Sequence, residues 1–118
     1  MNEPWPTELK VLDHGRTLSI TFDSGANYQL PAEYLRVESP SAEVKGHGPG
    51  QEQLVFGKRK VAINKVEPVG SYAVRLVFND GHATGLYTWT YLAKLGADHS
   101  DIWSAYEAKL IQERRSRD

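Results

Sequence analysis

Leu18, Ile20 and Phe22 alternate with Thr17, Ser19 and Thr21, the period-two pattern of a strand with one face buried. Val74, Leu76 and Phe78 repeat the pattern further along. Both runs belong to a longer repetition. Ser19–Gly25, then Tyr34–Leu35 after Pro31, corresponds to Arg75–Gly81, then Tyr91–Leu92 after Thr88. The offset is 56 residues at Phe22/Phe78 and Gly25/Gly81, and 57 at Tyr34/Tyr91. Each copy predicts an alternating strand, a glycine turn, a returning strand and a short helix. If the copies are equivalent, Phe22 and Phe78 both face the core, as do Leu35 and Leu92.

The remaining positions fill in around these copies. Met1–Thr7, with two prolines, predicts a loose leader pinned by Trp5, and Leu9–Val11 a strand that turns at His14–Gly15. Pro31 suits the first helical position, where its missing N–H costs nothing, and Ala32–Val37 makes two turns. Glu38–Gly50 reads as a loop. Leu54–Phe56 and Val61–Ile63 flank a basic hairpin tip at Gly57–Lys60, and Val66–Pro68 continues outward. Thr88 caps a helix over Trp89–Leu95 that Gly96 ends. Asp98 or Ser100 caps a last helix over about 100–113, with Trp103, Tyr106 and Leu110 on one stripe. Glu113–Asp118 predicts a charged, frayed tail. The sum is one α+β domain, mainly antiparallel and β-rich, with a core over about 9–96 and a C-terminal helix.

Composition adds exclusions. The 118 residues carry a net charge of −1 and no cysteine. Disulfides, thiol catalysis and cysteine-containing zinc sites are ruled out. No run resembles a signal peptide, and none approaches the ~20 apolar residues of a membrane span. A cytoplasmic protein that binds neither membrane nor nucleic acid is expected, because no basic face interleaved with aromatics is present. His14, His47, His82 and His99 are scattered without chelate spacing, and His14 and His82 read as exposed turn residues. Ser39 and Ser41 lack a nucleophile elbow. Gly46–His47–Gly48–Pro49–Gly50 lacks the Lys–Ser/Thr of a phosphate loop, though so many glycines allow close approach of a ligand or another chain.

Leu30–Val37, Ser39–Val44, Gly46–Gly50, Pro68–Ala73 and Phe78–His82 leading to Tyr87–Thr88–Trp89 together resemble the family named after the N-terminal domain of gamma-butyrobetaine hydroxylase, over about Leu9–Gly96. Small stand-alone bacterial members of that family were catalogued as a domain of unknown function. The resemblance implies a β-rich α+β module that acts as an accessory. In the hydroxylases it precedes a separate 2-oxoglutarate-dependent dioxygenase domain, and in plants similar modules are appended to P-loop ATPases of the iron–sulfur carrier type. In the hydroxylases the module holds structural zinc through a C-x-C-x-x-C run and a histidine. Those positions fall here on Ser39, Ser41, Val44 and His82. Serine is a poor zinc ligand and valine none, so the resemblance implies a vestigial site, with no metal and no cofactor, and His82 hydrogen-bonding into the Ser39–Val44 loop.

The expectation is a non-enzymatic binding or adaptor module with a protein partner and no catalytic residue. Its candidate surface comprises His47, Gly48, Gly50, Asp80 and His82. The alternative is a metal-binding or iron–sulfur-assembly accessory protein that uses His82 and His47.

Overall fold

The computed structural model describes residues 3–41 and 54–118. Strands β1 (Pro6–Leu12), β2 (Thr17–Phe22) and β3 (Asn27–Pro31) form one antiparallel sheet in the order β1-β2-β3. Helix α1 (Ala32–Val37) follows it. Strands β4 (Ile63–Val69), β5 (Ala73–Phe78) and β6 (Leu86–Thr88) form a second sheet in the order β4-β5-β6, followed by α2 (Trp89–Ala97) and α3 (His99–Gln112). None of the described helices is long and apolar enough to cross a membrane.

The repeat is longer than the sequence pattern shows: each copy is three strands and a helix. β1 begins at Pro6, earlier than its apolar run suggests, and β4 runs unbroken from Ile63 through the polar Asn64–Lys65 to Val69. Each carries a register irregularity at the same place, between Pro6 and Glu8 opposite Phe22/Thr21 and between Ile63 and Lys65 opposite Phe78/Val77. The glycine turns match bond for bond. The N–H of Phe22 donates to Ala26 O (2.8 Å) and that of Phe78 to His82 O (2.9 Å). The N–H of Asp23 reaches Trp5 O and that of Asn79 reaches Ala62 O, both at 2.8 Å. The leader is therefore tied down by the Trp5 backbone, while the Trp5 ring stays 52% exposed.

The alternating positions meet in one core. Leu18, Ile20, Phe22 and Leu30 from the first copy join Val74, Leu76, Phe78 and Tyr87 from the second, closed over by Tyr34, Leu35, Leu92 and Leu95. Two hydrogen bonds link the copies reciprocally. Tyr34 Oη donates to Leu95 O at the end of α2 (2.7 Å), and Tyr91 Oη donates to Glu38 O at the end of α1 (2.5 Å). These bonds satisfy carbonyls at the helix ends that have no partner within their own helix. Burial pushes both phenols well above the ordinary tyrosine range. Gly15 seats the first copy against the second. Its φ is +90°, and a Cβ there would stand 2.5 Å from Ile63 O, so a side chain would force the β1–β2 connection off β4.

Three local expectations are corrected. Leu54–Phe56 is not a strand, so Gly57–Lys60 is not a hairpin tip; the N–H of Val61 closes a turn onto Lys58 O. Gly96 lies inside α2, which runs to Ala97, because the Tyr28 ring packs where a Cβ would sit. Glu113–Asp118 does not fray. The N–H groups of Gly57 and Arg59 donate to Ser116 O (3.0 Å) and Arg117 O (2.9 Å), and the segment docks on the body. Beneath α3, Tyr106 and Leu110 pack with Val37 in a second small cluster, while Trp103 is half-buried.

Candidate functional site

The pseudo-symmetry marks one place where the copies differ in chemistry. In the first copy, Tyr28 of β3 packs on Gly96 of α2. In the second, the equivalent contact is Gly85 before β6 against Ser39 after α1, where a Cβ on Gly85 would stand 2.4 Å from Ser39 Oγ. The aromatic-on-glycine contact is replaced by glycine-on-serine, and His82 fills the space. His82 occupies the turn position held by Ala26 in the first copy. Its Nε2 shares a 2.9 Å hydrogen bond with Ser39 Oγ and a 3.4 Å contact with Ser41 Oγ, and the two hydroxyls lie 3.4 Å apart.

Ser39 is 0% and His82 7% exposed, and Ser41 is buried. His82 is thus not an exposed turn residue. Its backbone is held like a turn residue's, with its N–H on Asp80 Oδ1 (3.0 Å), but its ring points inward beside Phe78. The structure brings together three of the four positions at which the resemblance sets the zinc ligands. Val44, His47, Gly48 and Gly50 lie outside the described residues. Among the described residues, no three His, Cys, Asp or Glu side chains come together as they would around a metal ion. His14 stands in the Asp13–Gly15 turn with a positive φ, and His99 stacks on Tyr34 at 4.2 Å between ring centres, where burial lowers its pKa.

Asp80 closes the rim of the cluster. Arg36 Nε (2.8 Å) and Lys58 Nζ (2.7 Å) both reach its Oδ2. Burial by itself would raise this carboxyl. Lys58, the His82 N–H and Arg36 outweigh it and hold the pKa at about 2, against an ordinary 3.8. A depressed carboxyl contributes stability that is present above its unfolded value and lost as pH falls through its folded value. The stability gap between wild type and Asp80→Asn is therefore expected to stay constant at neutral pH. It should narrow as pH drops from about 4 to about 2, read as urea midpoints across that window. A gap that does not change there would show that the ion pairs do not form.

A second feature, missed by sequence reasoning, is a cleft of about 390 Å³ between the segment before β1, the β4–β5 turn and the start of α2, lined by Glu3, Trp5, Ser71, Tyr72, Thr88, Trp89 and Thr90. Tyr72 is 54% exposed. Trp89 is fixed by its Nε1–H on Ser71 O (2.8 Å). No spacing in the sequence links residues 5, 72 and 89; the fold alone assembles them.

Two repeated β-β-β-α copies around one core, with a buried Ser–Ser–His cluster on one side only, define a small α+β module. The chain belongs to the gamma-butyrobetaine hydroxylase-like, N-terminal family, whose model matches residues 9–93. It is similar to two proteins solved by NMR. One is 42% identical, with a TM-score of 0.86 over 99% of this chain and 92% of the other. The second is 48% identical, with a TM-score of 0.83 over 98% and 86%. It is also similar to the crystal structure of a protein of unknown function of the DUF971 family from Acidithiobacillus ferrooxidans ATCC 23270, at 41% identity and a TM-score of 0.65, covering 78% of this chain and 92% of that one. No curated protein matches the chain.

Proposed function

We propose that the chain is a non-enzymatic module that binds another protein in the cytoplasm and carries no metal. The observation that supports this reading is a contrast. The Ser39–Ser41–His82 cluster is buried and hydrogen-bonded within itself, with Ser39 0% exposed. The large aromatics Trp5 and Tyr72 instead line an open cleft. Exposed Trp and Tyr around a concave patch are the side chains that anchor protein interfaces. His82 therefore serves the reading as a support of the Asp80–Gly81 turn rather than as a contact.

Affinity capture from the native cell with wild type and with Trp5→Ser/Tyr72→Ser tests it. A stoichiometric protein partner held by wild type and lost by the variant, at unchanged melting temperature, is expected. Equal capture by both would move the surface elsewhere, and no partner at all would sink the reading.

Absence of metal is tested separately. The resemblance to the hydroxylases sets their zinc thiolates at Ser39 and Ser41, and a hydroxyl does not hold zinc in a closed site. Thermal melts with and without a strong chelator are expected to coincide, on protein purified without a polyhistidine tag. A drop of several degrees in chelator would mean that metal binding contributes to folding.

A further inference from the structure

We propose that Glu33 and Trp103 form a guanidinium socket, filled in cis by Arg117 and able to take an arginine from another chain in trans. The Glu33 side chain is 7% exposed, on the first turn of α1. Both of its oxygens are engaged: Arg117 Nε donates to Oε2 (2.8 Å) and Nη2 to Oε1 (2.6 Å). The guanidinium carbon lies 5.3 Å from the centre of the Trp103 ring. Beside it is a cavity of about 180 Å³ walled by Pro31, Glu33, Tyr34, His99, Trp103 and Arg117 itself. Apart from Arg117, its walls belong to β3, α1 and α3. The receptor half is therefore built by the folded body, and the 116–118 segment is its ligand.

The chemistry selects arginine. A planar fork meets both carboxylate oxygens at once and stacks on an indole, which a lysine ammonium does not reproduce. Pairing with Glu33 raises the pKa of Arg117 further. Backbone contacts add direction. Gly57 and Arg59 donate N–H groups to Ser116 O and Arg117 O, and Arg59 Nε takes Asp118 Oδ1 at 2.5 Å. The recognised pattern is thus an arginine followed by an acid.

The contacts also make the segment exchangeable. Among the described residues, the contacts of 115–118 outside the socket are the N–H groups of Gly57 and Arg59 on Ser116 O and Arg117 O, the Arg115 N–H on Leu110 O, an exposed ion pair and Arg115 over Phe56 at 4.8 Å, and exposed ion pairs contribute little. An emptied socket, by contrast, leaves a buried carboxylate without its counter-charge, which is strongly unfavourable. Release of Arg117 therefore favours refilling by another arginine. This inference does not depend on the Trp5–Tyr72 cleft being used.

The test uses the full chain carrying Arg117→Ala and a synthetic peptide, N-acetylated Glu-Arg-Arg-Ser-Arg-Asp, with binding followed on the Trp103 indole N–H by NMR. The variant should melt several degrees below wild type and bind the peptide saturably, with its melting temperature recovered at saturation. A peptide with lysine at the fifth position should bind at least about ten-fold more weakly. Addition of Glu33→Gln should abolish binding of both. Wild type should bind at least about ten-fold more weakly than the variant, because its own arginine competes at high effective concentration. Equal binding of the two peptides, or no saturable binding by folded Arg117→Ala at millimolar peptide, would overturn the proposal. If Arg117→Ala does not fold alone, the same titration on Arg117→Lys decides: displacement by the arginine peptide supports the socket, and no displacement refutes it.

Discussion

Truncation of Phe78 to alanine is expected to cost about 3–5 kcal/mol, and truncation of Phe22 nearly as much. Both rings are buried at the last position of the central strand of their sheet, beside the register irregularity that opens each copy. Phe78 faces buried Ile63, whereas Phe22 faces half-buried Pro6, so the Phe78 cavity collapses less and its cost falls at the upper end. Chemical denaturation of the two variants checks this. A loss below about 1 kcal/mol at either site would show that the two copies do not share one core.

Replacement of His82 by alanine should cost about 2–4 kcal/mol. The change removes a buried ring and leaves two buried hydroxyls, Ser39 and Ser41, facing the space it filled. An exposed turn histidine would cost less than about 0.5 kcal/mol, so the magnitude separates the buried arrangement from the one a lone histidine after Asp-Gly suggests. Ser39→Ala should cost less than His82→Ala. The double variant should lose less than the sum of the singles by about 1 kcal/mol, because an alanine pair leaves fewer orphaned polar groups. Strict additivity would mean that the 2.9 Å bond contributes nothing.

Several features of this protein were legible in its residues alone. Alternation at Leu18–Phe22 and Val74–Phe78 set the buried faces of β2 and β5. The offsets between Phe22/Phe78 and Tyr34/Tyr91 set the order of strands and helices, and Thr88 set the start of α2, where its Oγ accepts the Tyr91 N–H (3.1 Å). These are short-range signals: side-chain direction follows the period of the backbone, and a cap lies within one turn of its helix. The Ser39, Ser41 and His82 positions were also named together, through the family resemblance rather than through any local pattern.

The first strand of each copy was only partly legible, because Pro6/Ile63 and Glu8/Lys65 share a register and no residue type. Neither the burial of His82 nor the docking of Arg117 was legible. His82 turns inward because Gly85, three residues on, gives up its side-chain volume to Ser39, which lies 43 positions away in the chain. Arg117 sits in a charge run that by itself reads as a solvated end. It is ordered because the fold places a buried carboxylate 84 positions earlier in reach of its guanidinium. Charge and small size are local properties. Whether a charged or hydrogen-bonding group is solvated or buried depends on partners that only chain closure brings within about 3 Å.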